Sequence, residues 1–363
     1  MFGALELGLI YAAMALGVYL TFKVLNFPDL TVDGSFTTGG ATAASLIIAG
    51  VNPFLATLAA IGAGLIAGYI TGLLHTKGGI DGLLAGILTM IGLWSINLRI
   101  MGKANLPLLR EDTVFTPLRE NMWLGTWISI SVLLVFTLIL KFAIDWFLTT
   151  DLGLAIQANG NNRQMIRSLG VNTDNTTMLT LALSNGFVAL CGALVAQYQG
   201  FSDISMGIGL ILVGLASVIL GQAVFGSRNI FMASLGAMLG SVIYRLIIFL
   251  ALRAGLDTND MKLTTALLVV LALLLPRWGF LRRIPSLRSR GNRAAPAVPD
   301  DETADDPANE AGTQVPAGTT DTPSEGTDVP AETSATPAGT TVGTAPAGTT
   351  TAGTTAAPEQ KER

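Results

Sequence analysis

DLGLAIQANGNNRQMIRSLGVNTDNT (Asp151–Thr176) is polar, and long apolar runs flank it on both sides. Such a stretch belongs outside the hydrocarbon of a membrane, as a short helix lying at its surface. Asn161 is placed to cap that helix, and Gln164, three residues on, completes a capping-box-like pair. Gly170 is placed to end it in the left-handed conformation. Asn162–Leu169 would then be roughly 12 Å long at 1.5 Å per residue. Met165, Ile166 and Leu169 share an apolar face, and Arg163 and Arg167 share another at i, i+4. Two readings stand at this point: a loop resting on lipid headgroups, or a helix that docks into a partner protein.

Composition sets the frame around this stretch. The chain has 363 residues, 50% of them hydrophobic and 13% charged, with a mean hydropathy of +0.57. That excludes an ordinary soluble protein. The 41 glycines fit helices packed closely in lipid. Cys191 is the only cysteine, so no intrachain disulfide forms, and His75 is the only histidine, which leaves little for a His-based metal site or triad. The chain contains no P-loop, HExxH, GxSxG or CxxC pattern. It is therefore not expected to be an enzyme or to bind a cofactor, and nothing points to nucleic acid.

Outward from the polar stretch, nine apolar segments are candidate spans, each set against the 17–25 residues a crossing needs. They are Glu6–Phe22, Thr38–Ala49, Pro53–Leu74, Leu83–Leu98, Met122–Phe147, Met178–Ala196, Ile208–Phe225, Ile230–Leu252 and Leu263–Leu275. Thr38–Ala49 is the weakest, so the expectation is an all-α membrane protein with eight or nine transmembrane helices. Leu25–Gly40 is too polar for lipid and too rich in Pro and Gly for one smooth helix. It reads as a broken segment, tolerated at membrane depth only inside protein or along a cavity. Phe27–Gly34 is similar to Phe201–Gly209 at an offset of 174 residues, the pattern of an inverted repeat.

Residues 1–276 form the expected membrane domain and 277–293 a basic juxtamembrane segment. Arg277, Arg282, Arg283, Arg288, Arg290 and Arg293 put the C-terminus in the cytoplasm. Counting spans back places Asp151–Thr176 in the cytoplasm and the N-terminus outside. The same count puts Arg99–Asn121, with four basic residues, outside, against the rule. Residues 294–363 are acidic, lack aromatics and repeat PAGTT, the composition of a disordered tail.

Polar residues within or beside spans are candidates for a solute pathway: Asn26, Asp29, Asp33 and Ser35 in the broken segment, then Asn185, Gln197 and Arg245. Each also has a packing role open to it, Arg245 as the partner of Asp29, Asp33 or Glu6.

VLNFPDLTVDGSFTTGGA (Val24–Ala41) and Asn159–Gly209 resemble the integral membrane permeases of ABC importers of the branched-chain amino-acid type. The likeness is greatest to the subgroup associated with tryptophan-like and otherwise uncharacterised uptake systems. It covers roughly Leu5–Pro276. Where branched-chain permeases carry Asn-Phe-Ala-His-Gly, this chain has Asn26-Phe-Pro-Asp-Leu, so leucine, isoleucine or valine as cargo is not implied. The resemblance implies that Asn162, Arg163, Met165, Ile166, Arg167, Leu169 and Gly170 form a helix that docks on a separate ATPase. The ATP would be held by that partner. It further implies a second permease copy, an extracytoplasmic solute-binding protein, a location in the cell membrane among its lipids, and alternating access for a small solute such as an amino acid. A secondary transporter built on the inverted repeat, working without ATP, is the alternative.

Overall fold

The break in the polar segment is short. In a computed structural model that describes residues 1–226, 229–254, 265–267 and 269–270, α1 (Phe2–Tyr19) widens into a π-helical turn at Leu20–Val24. Leu25 N–H reaches back five residues to Leu20 O, and Asn26 takes a left-handed φ of 55°. Asp29 Oδ1 then accepts from Thr31 N at 2.9 Å, and α2 (Thr31–Ile48) begins at once. This corrects the expectation that the irregular stretch reaches Gly40 and that the span starts at Thr38. A polar helix survives here because it is buried in protein, against α3 (Pro53–Thr76), α4 (Gly82–Met101) and α9 (Thr173–Gln199). Thr37 and Thr38 turn their hydroxyls back onto the carbonyls of Asp33 and Gly34. Gly39 lies against the backbone of Ala189, and Gly192 against that of Phe36, so α2 and α9 touch main chain to main chain.

Past α4 the chain forms β1 (Asn105–Pro107) and a short α5 (Thr116–Glu120) before α6 (Trp127–Thr149). The span expected from Met122 thus starts at Trp127. Residues 122–126 form a turn with Met122 at φ 56°, because buried Glu6 draws the Gly125 N–H to its carboxylate at 2.8 Å. Then come α7 (Asp151–Asn161), α8 (Arg163–Ser168), α9, β2 (Phe201–Asp203), α10 (Leu210–Phe225) and α11 (Ile230–Arg253). Among the described residues six helices are long and apolar enough to cross a membrane: α1 with its π turn, α3, α4, α6, α9 and α11. α2 and α10 match two more expected spans. The candidate Leu263–Leu275 lies largely outside the described residues, and residues 277–363 lie wholly outside them.

α1 and α9 form the centre and run antiparallel. Tyr198 donates to Glu6 at 2.6 Å, Cys191 to the Ile10 carbonyl at 3.3 Å and Ser184 to the Gly17 carbonyl at 2.8 Å, so one number falls as the other rises. α9 packs on α2 and α3, while α1 packs on α10 and α11. The turn Asp29–Thr31 recurs as Asp203–Ser205, each aspartate accepting from the amide two residues on. Antiparallel lead helices with exchanged partners are what an inverted repeat requires.

This packing separates the two ends of the bundle. At one lie Glu6, the antiparallel β1–β2 ribbon and α5. At the other, His75 stacks edge-on against Phe27, and α7 meets the start of α9. In the ribbon, burial raises the Asp203 carboxyl, but hydrogen bonds from Ser205 and Asn105 outweigh it and hold the group below its ordinary value. Around the outside, Leu58 and Ile66 of α3, Leu84 and Leu88 of α4, and Val135 and Ile139 of α6 are exposed, as lipid contact demands.

Candidate functional site

The polar stretch between α6 and α9 folds as two helices. Thr150 accepts from Gly153 N at 3.3 Å and starts α7, an element that sequence reading missed. Gly153 sits against the backbone of Phe147 and Leu148, and Gly160 against the Val24 carbonyl, so α7 is clamped between α6 and the break after α1. Asn159 ties it to α9 through Thr176 and Thr177, each at 3.1 Å.

Asn162 is extended at φ −153°, and its side chain accepts from Met165 N at 3.0 Å. The cap is therefore Asn162; Asn161, the expected cap, is the last residue of α7. Gly170 takes φ +85°, the left-handed stop its position promised. Asn172 restarts the chain by capping α9 at Asp174 and Asn175.

The expected apolar face of α8 divides. Ile166 is 7% exposed and anchors the helix inward, whereas Met165 is 57% and Leu169 67% exposed. At 100° per residue, positions 165 and 166 straddle the edge of so short a helix, while 165 and 169 stay in line. Arg163 likewise turns back, pairing with Asp174 at 2.8 Å, and Arg167 is left on the surface. What α8 presents outward is Met165, Leu169 and Arg167.

The pathway candidates sort into three groups. Asp29 is buried and bonded to Asn185 at 2.7 Å, which ties the break to the middle of α9. Gln197 accepts from Val114 N at 3.0 Å and donates to Thr57 at 2.9 Å, which fastens the loop before α5 onto α3 and α9. Both pairs are packing. Asn26 is exposed at the break, and buried Ser35 has a hydroxyl without a hydrogen-bond partner among the described residues.

Asp33 and Arg245 lie elsewhere, beside two clefts that share Ile208. The first, about 360 Å³, is lined by Asp33, Thr37, Met90, Trp94 and Asn97. The second, about 330 Å³, is lined by Gly209, Leu212, Val213, Tyr244 and Arg245. Asp33 reaches across to the start of α10, accepting from Gly209 N and Ile211 N at 2.8 Å each. Arg245 stacks its guanidinium 3.7 Å from the centre of the Tyr11 ring.

Sequence reading missed two polar clusters. Glu6 accepts from Gly125 N, Tyr198 and Ser129, binding α1 to α6 and α9. Lys141 and Asp145, an i, i+4 pair inside α6, form a buried ion pair capped by Ser234 and by the Phe231 ring, 3.0 Å from the ammonium. The spacing of that pair was visible in the sequence.

Residues 1–275 match the family described as "Branched-chain amino acid transport system / permease component". The chain belongs to that permease family. It is 44% identical, over 72% of its length and 86% of the relative, to the tyrosine transport system permease protein of Clostridioides difficile (strain R20291). It is 36% identical, over 74% of its length and 95% of the relative, to an uncharacterized protein of Rickettsia prowazekii (strain Madrid E). The ribose import permease protein of Escherichia coli (strain K12) is 26% identical over 61% of the chain and 68% of its own length. No solved structure matches. The chain is thus the membrane permease subunit of an ABC importer, a transport subunit and not an enzyme, and permeases of this family work with an ATPase and a binding protein.

Proposed function

We propose that this permease imports an amino acid with a large side chain, and that α8 is the element through which its ATPase drives it. The observation that carries the docking is the outward pair Met165 and Leu169, on a short helix already fixed from behind by Ile166 and the Arg163–Asp174 pair. An exposed apolar pair on a rigid stalk costs solubility unless a partner covers it; burying each side chain contributes about 1.5–3 kcal/mol. α6, α7 and α9 hold that stalk, so a push on α8 is passed into α9 at the centre of the bundle. The relative named for tyrosine transport supports an amino acid as cargo.

In this reading the α8 end faces the cytoplasm, as arginine-rich residues 277–293 favour, and the N-terminus, β1–β2 ribbon and α5 face outside. The solute-binding protein delivers cargo to that outer end. A second copy of the permease completes the pathway, and ATP stays on the partner. The test is co-expression with a partner ATPase and a solute-binding protein, with labelled amino-acid uptake in proteoliposomes. ATP-dependent uptake is expected; uptake that persists without the ATPase would sink the reading.

A further inference from the structure

Arg245 lies well within α11, at membrane depth, and the three carboxylates that sequence offered it are engaged elsewhere. Glu6 is taken by Gly125 N, Ser129 and Tyr198. Asp29 holds Thr31 N and Asn185. Asp33 holds Gly209 N and Ile211 N. Among the described residues the ion pairs are Lys141–Asp145 and Arg163–Asp174, and neither includes Arg245. Its guanidinium rests on Tyr11, and its Nε is buried with no hydrogen-bond partner among those residues.

A cation at membrane depth without a counter-ion is disfavoured, and stacking on one ring returns only part of that cost. The protein keeps the charge beside an open cleft. That cleft shares Ile208 with a second, where Met90, Ile91 and Trp94 form an apolar wall and Asn97 keeps a buried carbonyl oxygen without a hydrogen-bond partner among the described residues. The junction also lies between the two halves of the repeat, where transporters built on such repeats hold their solutes.

We propose that the clefts meeting at Ile208 are the permease's own solute site, in which Arg245 binds the carboxylate of an amino acid and the Met90–Trp94 wall receives its apolar side chain. This rests on the amino-acid importer reading above. A guanidinium offers a carboxylate two parallel hydrogen bonds, so cargo would give Arg245 the counter-ion that no described residue supplies. Release follows when the two halves move and the clefts part.

The test uses the permease in phosphatidylcholine nanodiscs and L-tyrosine as probe, read by saturation-transfer NMR, beside uptake by the complete transporter in proteoliposomes. Tyramine, which lacks the carboxylate, is the control. L-tyrosine is expected to receive saturation and tyramine not to. Arg245→Gln should weaken tyrosine binding and uptake by about tenfold or more, with Arg245→Lys recovering part of the loss. The melting temperature and ATPase co-purification should stay unchanged in both variants. Equal binding of tyramine, or wild-type binding and uptake by Arg245→Gln, overturns the proposal. If Arg245→Gln does not fold, the tyrosine–tyramine comparison on the wild type decides. A tyrosine signal abolished by phosphatidylglycerol, with that lipid retained by wild type and not by Arg245→Gln, gives Arg245 to a headgroup phosphate and also overturns it. A complete transporter that imports no amino acid removes the cargo reading itself; normal uptake by Arg245→Gln removes only the site.

Discussion

The Asp33 carboxylate spans the two halves of the permease, one oxygen on Gly209 N and the other on Ile211 N, each at 2.8 Å. It caps α10 from a helix 176 residues earlier in the chain. The junction beside the clefts is thus held by a charged hydrogen-bond pair, and apolar packing alone would slide more easily. Asp33→Asn keeps one acceptor and loses the charge that suits a helix N-terminus. We expect a loss of about 1.5–3 kcal/mol, since bonds to a charged group are involved. Hydrogen exchange should report it as faster exchange at Gly209–Leu212 with α1 unaffected.

Coupling is tested by separating the outward and inward faces of α8. Leu169→Asp places a charge where the ATPase would bury an apolar side chain, and should abolish co-purification of the ATPase while the melting temperature holds. Ile166→Ala opens a cavity behind the helix and should cost about 2–5 kcal/mol locally. Retained ATPase binding by Leu169→Asp would remove α8 as the docking element.

What was legible in the sequence followed the strength of the local signal. Long apolar runs marked α3, α4, α9 and α11 well, because hydropathy alone sets them. α2 was half hidden: Thr31–Gly40 is polar, and only burial against α3, α4 and α9 makes a helix of it. α7 was missed because Gly153 and Gly160 argue against a helix locally, while their value lies in close approach to Leu148 and Val24. The cap of α8 was off by one residue because Asn161 and Asn162 are chemically alike, and the end of α7 decides between them. The Arg245 partners were misread for a related reason. Composition shows which carboxylates exist, and only the fold shows which backbone amides have already claimed them.

Lys141 and Asp145 allow a test of buried charge in α6. Lys141→Met leaves Asp145 facing Ser234 without its cation and should destabilise the fold by about 3–5 kcal/mol, the cost of breaking a buried pair. Removing both charges in Lys141→Met/Asp145→Asn should recover most of that loss. Thermal unfolding of the two single variants and the double variant measures the coupling directly. Additive losses would show that the pair is not a unit.

The central packing turns on the contact between the backbones of α2 and α9. A Cβ at Gly192 would overlap the Phe36 carbonyl, and one at Gly39 would overlap that of Ala189. Neither neighbour is the end of a flexible side chain, so the helices themselves must part. Gly192→Ala should therefore behave as overpacking and cost at least about 1–3 kcal/mol, although Ala is the better helix former by about 1 kcal/mol. Gly62→Ala is the control, since its Cβ would meet nothing within 4 Å and the same propensity gain is unopposed. Melting temperatures should move in opposite directions for the two variants. A Gly192→Ala permease as stable as the Gly62→Ala one would mean that α2 and α9 do not meet through their backbones.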